Sequence, residues 1–265
     1  METQINNGNK RTKRALVIGI NYTSRIGLQL YGCIIDARRT VTLLKSRGFK
    51  TSQIRVLTDH PGANREQLPT LANIRAGFEW LVQPSTEPLD LYLHYSGHGD
   101  QMMDLNGDEI DGMDEMIVPL DVVIRDRSTW ISDDEIRSSI VDKLRSGDRL
   151  WAVMDSCHSG TVLDLPFSLN DGITMKVMGA KLHTDAEVVC LSGAIDSQLA
   201  ADSSYGSQAS GAMTTAYLRN YRTGMNHLAL LDAIRKDIVS MGINFQVPTL
   251  SYGQYQLPNQ RLTWI

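Results

Sequence analysis

Residues 89–99 read LDLYLHYSGHG. A run of aliphatic and aromatic side chains without Gly or Pro ends in Ser96, Gly97, His98 and Gly99, the profile of a strand that empties into a tight loop. Residues 150–160, LWAVMDSCHSG, repeat the plan with Cys157 in place of the histidine. On either side, strand-length apolar runs recur at 15–20, 54–57, 116–120 and 188–194, and amphipathic stretches separate them. In 34–47 the residues Ile34, Ala37, Val41 and Leu44 fall at helical spacing before Gly48; a second helix starts at Thr70 with Ile74, Phe78 and Leu81 on one face. Ser132 and Glu135 form a capping box for a third, and helices are predicted at 208–221 and 227–241, with strands at 247–252 and 261–265. Strand alternating with helix predicts an α/β domain with a largely parallel sheet, whose functional loops follow the carboxyl ends of strands.

The 265 residues carry 26 Lys and Arg against 30 Asp and Glu, a net charge of −4, with 42% apolar content. A chain without a strong basic field is not built around a polyanion, so nucleic acid and acidic membrane surfaces are not expected partners. Cys33, Cys157 and Cys190 are too few and too scattered for a disulfide framework and form no CxxC pair, which favours a reducing compartment; a cytoplasmic location is expected. The polar opening residues have no signal-like apolar core, and no run reaches the length of a membrane span. Residues 1–12 read as a flexible arm, and 158–186, rich in Gly, Asp and Asn, as a mobile or cleavable loop.

A thiol at a strand end among Ser156, Ser159 and Gly160 has the exposure that a nucleophile needs, although a single cysteine could equally be a buried free thiol. His98 lies 59 residues earlier, at the end of a strand that one or two crossovers can bring alongside. Together they suggest sulfur attack on a carbonyl with an imidazole protonating the leaving amine, and the main-chain N–H groups of Cys157 and Gly99 as oxyanion donors. No Asp or Asn is placed to orient His98, so that position stays open. His94, His158 and His183 read as surface or capping residues. Asp104, Asn106, Asp108 and Glu115 fit EF-hand positions 1, 3, 5 and 12, but Glu109 occupies the position that needs Gly, which argues against such a site.

The segments ALVIGINY, GCIIDA, HYSGHGDQ, DGMDE, SDDEI and DSCHSGTVLDLPF, in this order over nearly the whole chain, resemble a metacaspase. The resemblance implies a caspase-like α/β/α sandwich, a mostly parallel sheet of about six strands, with 13–165 as the large-subunit-like segment, 166–186 as a linker and 187–265 as the small-subunit-like segment. It implies a cysteine endopeptidase with a His98 and Cys157 dyad, and Cys33, Asp36, Ser96 and Asp155 as the primary specificity pocket. Two carboxylates there select Arg or Lys and repel Asp, although Asp36 could simply favour a helix N-terminus and Asp155 accept loop N–H bonds. The resemblance further implies calcium as activator, on Asp114, Asp133, Asp134 and Asp164, and a monomer acting on protein substrates. Asp133 and Asp134 could instead only begin a helix. Lys176 and Lys181 are candidate self-processing positions. A caspase-like scaffold that binds partners through the same groove is the alternative function.

Overall fold

Alternation at a period of two decides the layers. In the strand Thr12–Gly19, Leu16 and Ile18 pack into one hydrophobic core, while Ala15 and Val17 pack into another on the opposite face. The computed structural model describes residues 10–104, 112–169, 175–177, 183–193, 202–203 and 210–255. Strands are β1 (Thr12–Gly19), β2 (Ile54–Thr58), β3 (Leu89–Ser96), β4 (Gly99–Met103), β5 (Met113–Ile117), β6 (Ile131–Ser132), β7 (Arg149–Asp155), β8 (Phe167–Ser168), β9 (Lys176–Val177), β10 (Glu187–Ser192), β11 (Asp202–Ser203), β12 (Ser210–Gly211) and β13 (Thr249–Tyr252). Helices are α1 (Cys33–Ser46), α2 (Leu71–Leu81), α3 (Asp133–Ser139), α4 (Ala212–Asn220) and α5 (His227–Ser240).

The main sheet runs β2-β1-β3-β7-β10-β13-β8-β9. Its first five strands are mutually parallel and the last three pair antiparallel. Six strands of four or more residues match the sequence expectation; β8 and β9, two residues each, carry no periodicity to read and bring the total to eight. Ile74, Phe78 and Leu81 of α2 with Ile136 of α3 cover one face. Ala37 and Leu44 of α1, Met213 and Tyr217 of α4, and Leu230 and Ile234 of α5 cover the other.

Several local expectations differ from what forms. The loop expected after His98 begins as β4, which pairs antiparallel with β5. β5 starts at Met113 and stops at Ile117, ahead of Pro119, which has no N–H to continue a ladder. Ser132 Oγ accepts the Glu135 N–H at 3.2 Å, but the Glu135 carboxylate pairs with Arg75 at 2.6 Å. Glu115 lies on a strand and is buried, which removes it from any EF-hand. His94, expected at the surface, is fully buried in β3; burial alone presses its pKa down to about 3, so the ring is neutral. Residues 261–265, read as a strand, lie outside the described residues. Among the described residues no helix is long and apolar enough to cross a membrane.

Candidate active site

Neighbouring parallel strands β3 and β7 pair with Ser96 opposite Asp155. His98 and Cys157 each follow two residues later, so the register sets them side by side at the carboxyl edge of the sheet. The ladder continues past the strand ends: Ile20 N–H donates to Ser96 O at 2.9 Å and Gly97 N–H to Asp155 O at 3.4 Å. Both candidate residues are half-buried, while Ser96, Gly97, Asp155 and Ser156 behind them are buried. The side chains thus stand at a solvent-facing rim.

The two glycines beside His98 are required for space. Neither has a positive φ. A Cβ on Gly99 would lie 2.1 Å from the Cys157 carbonyl oxygen and 3.1 Å from Ser156 Oγ. One on Gly97 would lie 2.7 Å from the Tyr95 hydroxyl and 3.1 Å from that of Tyr22. Any side chain at Gly99 would therefore push the histidine loop away from the thiol loop. Of the two uses the sequence offers for these glycines, a tight turn and a close main-chain approach, the second is the one the packing shows.

The orienting group left open by the sequence is a main-chain atom. His98 Nε2 lies 2.8 Å from the Leu28 carbonyl oxygen, which can only accept, so Nε2 carries the proton and Nδ1 is left for proton exchange. The loop bearing Leu28 is tied down by Asp59, whose carboxylate accepts the N–H groups of Asn21 at 2.8 Å and Thr23 at 2.7 Å. Asn21 closes the loop by accepting Leu30 N–H at 2.8 Å and, through Oδ1, Ile34 N–H at 3.2 Å. A carbonyl recruited by folding leaves no mark in the sequence.

Beside this pair, Asp36 in the first turn of α1 and Asp155 at the end of β7 converge under Gly211. Asp36 Oδ2 accepts Gly211 N–H at 2.8 Å and Ser96 Oγ–H at 3.1 Å; Asp155 Oδ2 accepts Thr214 N–H at 2.8 Å. A Cβ on Gly211 would lie 2.2 Å from Asp155 Oδ2 and 2.9 Å from Asp36 Oδ2, so only glycine fits between them. Burial and then the neighbouring Asp155 drive the Asp36 pKa well above the ordinary carboxylate range. Its Oδ1 is buried without a hydrogen-bond partner among the described residues. Cys33, at the start of α1, is also buried. The two carboxylates do meet, and they lie closed beneath the Gly211 main chain.

A second acidic group stands on the β5 and α3 side. Asp114, Asp133 and Asp134 bring carboxylate oxygens within 4.8 Å of one another. Asp114 and Asp134 border a cleft of about 240 Å3 that also includes Arg127. Asp133 and Asp134 do begin α3, so the helix-start reading holds together with the clustering. Asp133 accepts Glu115 N–H at 2.9 Å and Asp134 N–H at 2.8 Å. Burial first, and repulsion from Asp164 among the smaller causes, push its pKa up to about 7. Asp164 is buried with a φ of 56° and is held through its carbonyl by Arg137. Arg127 is ion-paired to Asp114. The three clustered carboxylates, with Asp164 near enough to Asp133 to repel it, form a donor set of hard oxygens that suits an oxygen-seeking divalent cation. Lys176 is exposed on β9; Lys181, Asn106, Asp108 and Glu109 lie outside the described residues.

The profile of the metacaspase, peptidase C14 domain matches residues 13–166. The chain belongs to the metacaspase family. This metacaspase is 34% identical to Metacaspase-1 of Mycosarcoma maydis, in an alignment that covers 86% of this chain and 67% of that relative. It is accordingly a cysteine-type endopeptidase, acting on protein substrates. Its fold is similar to that of caspase-1 from Spodoptera frugiperda, with a TM-score of 0.56, 15% identity and coverage of 92% and 87% of the two chains. A Geobacter sulfurreducens protein superposes with a TM-score of 0.64 at 24% identity, covering 96% of this chain and 99% of its own. The caspase-like sandwich expected from sequence is therefore the fold observed.

Proposed function

We propose that this metacaspase cleaves peptide bonds after Arg or Lys through Cys157 and His98, and that calcium promotes the reaction. The observation that carries the reading is the pairing of Ser96 with Asp155, which places imidazole and thiol at matched positions beyond adjacent strands. His98 Nδ1 takes the proton of the Cys157 thiol as Sγ attacks the scissile carbonyl carbon, forming a tetrahedral adduct whose oxygen is met by the Gly99 and Cys157 N–H groups. His98, held at Nε2 by Leu28, delivers a proton from Nδ1 to the leaving amine. The C–N bond breaks and water later hydrolyses the thioester.

Asp36 and Asp155 supply the specificity. A guanidinium or ammonium group between two buried carboxylates relieves their repulsion and lets Asp36 ionise, whereas a substrate Asp would add a third negative charge. The Gly211 and Thr214 N–H groups now occupy these oxygens, so the guest enters as that main chain yields them. Asp114, Asp133, Asp134 and Asp164 would hold calcium, which would supply the positive charge that lets these closely placed acids ionise together. Asp164 lies seven residues after Cys157, so fixing its turn also fixes the nucleophile loop. The exposed position of Lys176 supports self-cleavage there.

Single-turnover cleavage of peptides ending in Arg, Lys, Asn or Asp, by the parent and by Cys157→Ala, with calcium or with EGTA, tests the proposal. Arg and Lys peptides are cut by the parent alone, and EGTA slows the reaction roughly tenfold or more. Equal rates in EGTA remove the calcium arm, and preferential cleavage after Asn or Asp removes the specificity.

A further inference from the structure

His98 sits between two tyrosines from different strands' ends, and their hydroxyls account for its whole main chain. Tyr22 Oη accepts His98 N–H at 3.1 Å and donates to the Val118 carbonyl at 2.6 Å. Tyr95 Oη donates to the His98 carbonyl at 2.6 Å and accepts Val118 N–H at 3.2 Å. The two oxygens are 3.3 Å apart. Each phenol thus gives one proton and takes one, and the peptide groups of two residues are satisfied by side chains in place of a backbone ladder. Both tyrosines are fully buried, and desolvation holds both hydroxyls protonated. Tyr22 has a φ of 52°, a conformation that costs a non-glycine residue energy and persists where surrounding contacts enforce it. Its ring also lies 4.7 Å from the His98 ring, forming one wall of the imidazole slot. The absence of a side chain at Gly97 gives the two hydroxyls their room.

We infer that Tyr22 and Tyr95 are positioning residues that clamp the His98 main chain to Val118 and thereby fix the imidazole against Cys157. The inference rests on the proposed role of His98. Val118 directly follows β5, the strand that carries Asp114, so the clamp also joins the histidine loop to the acidic cluster. Removal of either hydroxyl leaves a buried donor and a buried acceptor unmatched, and the loop relaxes toward another geometry. Misplacement of a catalytic group by about 1 Å can cost on the order of 10²-fold in rate.

The test compares Tyr22→Phe, Tyr95→Phe and the double variant with Tyr252→Phe. Tyr252 is equally buried and gives up a similar bond, 3.1 Å to His227 Nδ1, away from the site. With an Arg peptide under saturating calcium, both single variants lose roughly 10- to 100-fold in kcat, with KM within about twofold. The double variant loses less than the product of the singles, because the two hydroxyls act as one unit. The pH profile of Cys157 alkylation by iodoacetamide moves toward a free thiol, since the imidazole no longer holds the thiolate. Tyr252→Phe lowers only the melting temperature. A kcat within twofold of the parent and an unchanged alkylation profile in folded Tyr22→Phe and Tyr95→Phe overturn the clamp. Should either variant not fold, Gly97→Ala reads the same quantity, because it keeps both hydroxyls and forces them aside; parental kcat there is equally contrary. His98→Ala in parallel separates the two ideas: if it cleaves normally the catalytic assignment has failed, and if it alone is inactive the clamp has failed.

Discussion

Cys157→Ala and His98→Ala each lower kcat/KM for an Arg peptide by roughly 10³-fold or more, while Cys190→Ala leaves it at the parent value. The contrast comes from surroundings. Cys157 stands half-exposed at the sheet rim beside the histidine loop. Cys190 is buried in β10, and desolvation raises its thiol to about 12, out of range for a nucleophile at neutral pH. Because His98 and Cys157 project from strand ends, their removal changes the core little, and thermal unfolding of both variants should stay within a few degrees of the parent. Joint removal should cost about as much as either change alone, since the thiol without its base and the base without its thiol are both idle. A His98→Ala variant that kept more than a tenth of the parental rate would place the proton source elsewhere.

Asp36→Asn and Asp155→Asn should raise KM for Arg peptides on the order of 10²-fold, and Asp36→Asn should at the same time raise the melting temperature. Two unit charges about 4 Å apart interact by roughly 4 kcal/mol at an effective dielectric of 20, enough for such a loss after part is returned as solvation. In the free protein burial first, and then repulsion from Asp155, raise the Asp36 pKa. An amide keeps the acceptor for Gly211 and Ser96 and turns the unpartnered Oδ1 position into a donor. Stability therefore rises as substrate binding falls, the trade expected of a site held in a strained state. The sign with pH follows. A carboxyl group with a raised pKa is neutral at lower pH and must lose its proton to pair with a cation, so KM for Arg peptides increases as pH falls. Steady-state kinetics across pH, with melting curves for each variant, check all three statements; an Asp36→Asn variant with unchanged KM would remove the acid pair from specificity.

The parallel core of the fold was legible because β1, β3, β7 and β10 are apolar runs bounded by Asn, Gly and Ser. β4, with the sequence GDQMM, was not, since its polar residues alternate weakly and its pairing with β5 depends on a partner ten residues away. His98 and Cys157 could be picked out because each ends such a run among small residues. What surrounds them could not. Leu28 contributes a carbonyl, Gly211 contributes the absence of a Cβ, and Tyr22 and Tyr95 reach His98 from a loop and a strand by their hydroxyls alone. The available signal is the pair Gly97 and Gly99, whose missing side chains mark close packing as well as a turn. His94 departs from its surface expectation for a related reason: a lone polar letter in an apolar run does not show that β3 is buried on both faces.

Reaction of the intact, calcium-treated protein with an arginyl chloromethyl ketone peptide, followed by mass mapping of the three cysteines, is the most direct test. The adduct should fall on Cys157, require His98, and spare the buried Cys33 and Cys190. An adduct on Cys33, or labelling of Cys157 that proceeds as fast in His98→Ala, would contradict the pairing of thiol and imidazole at the sheet edge.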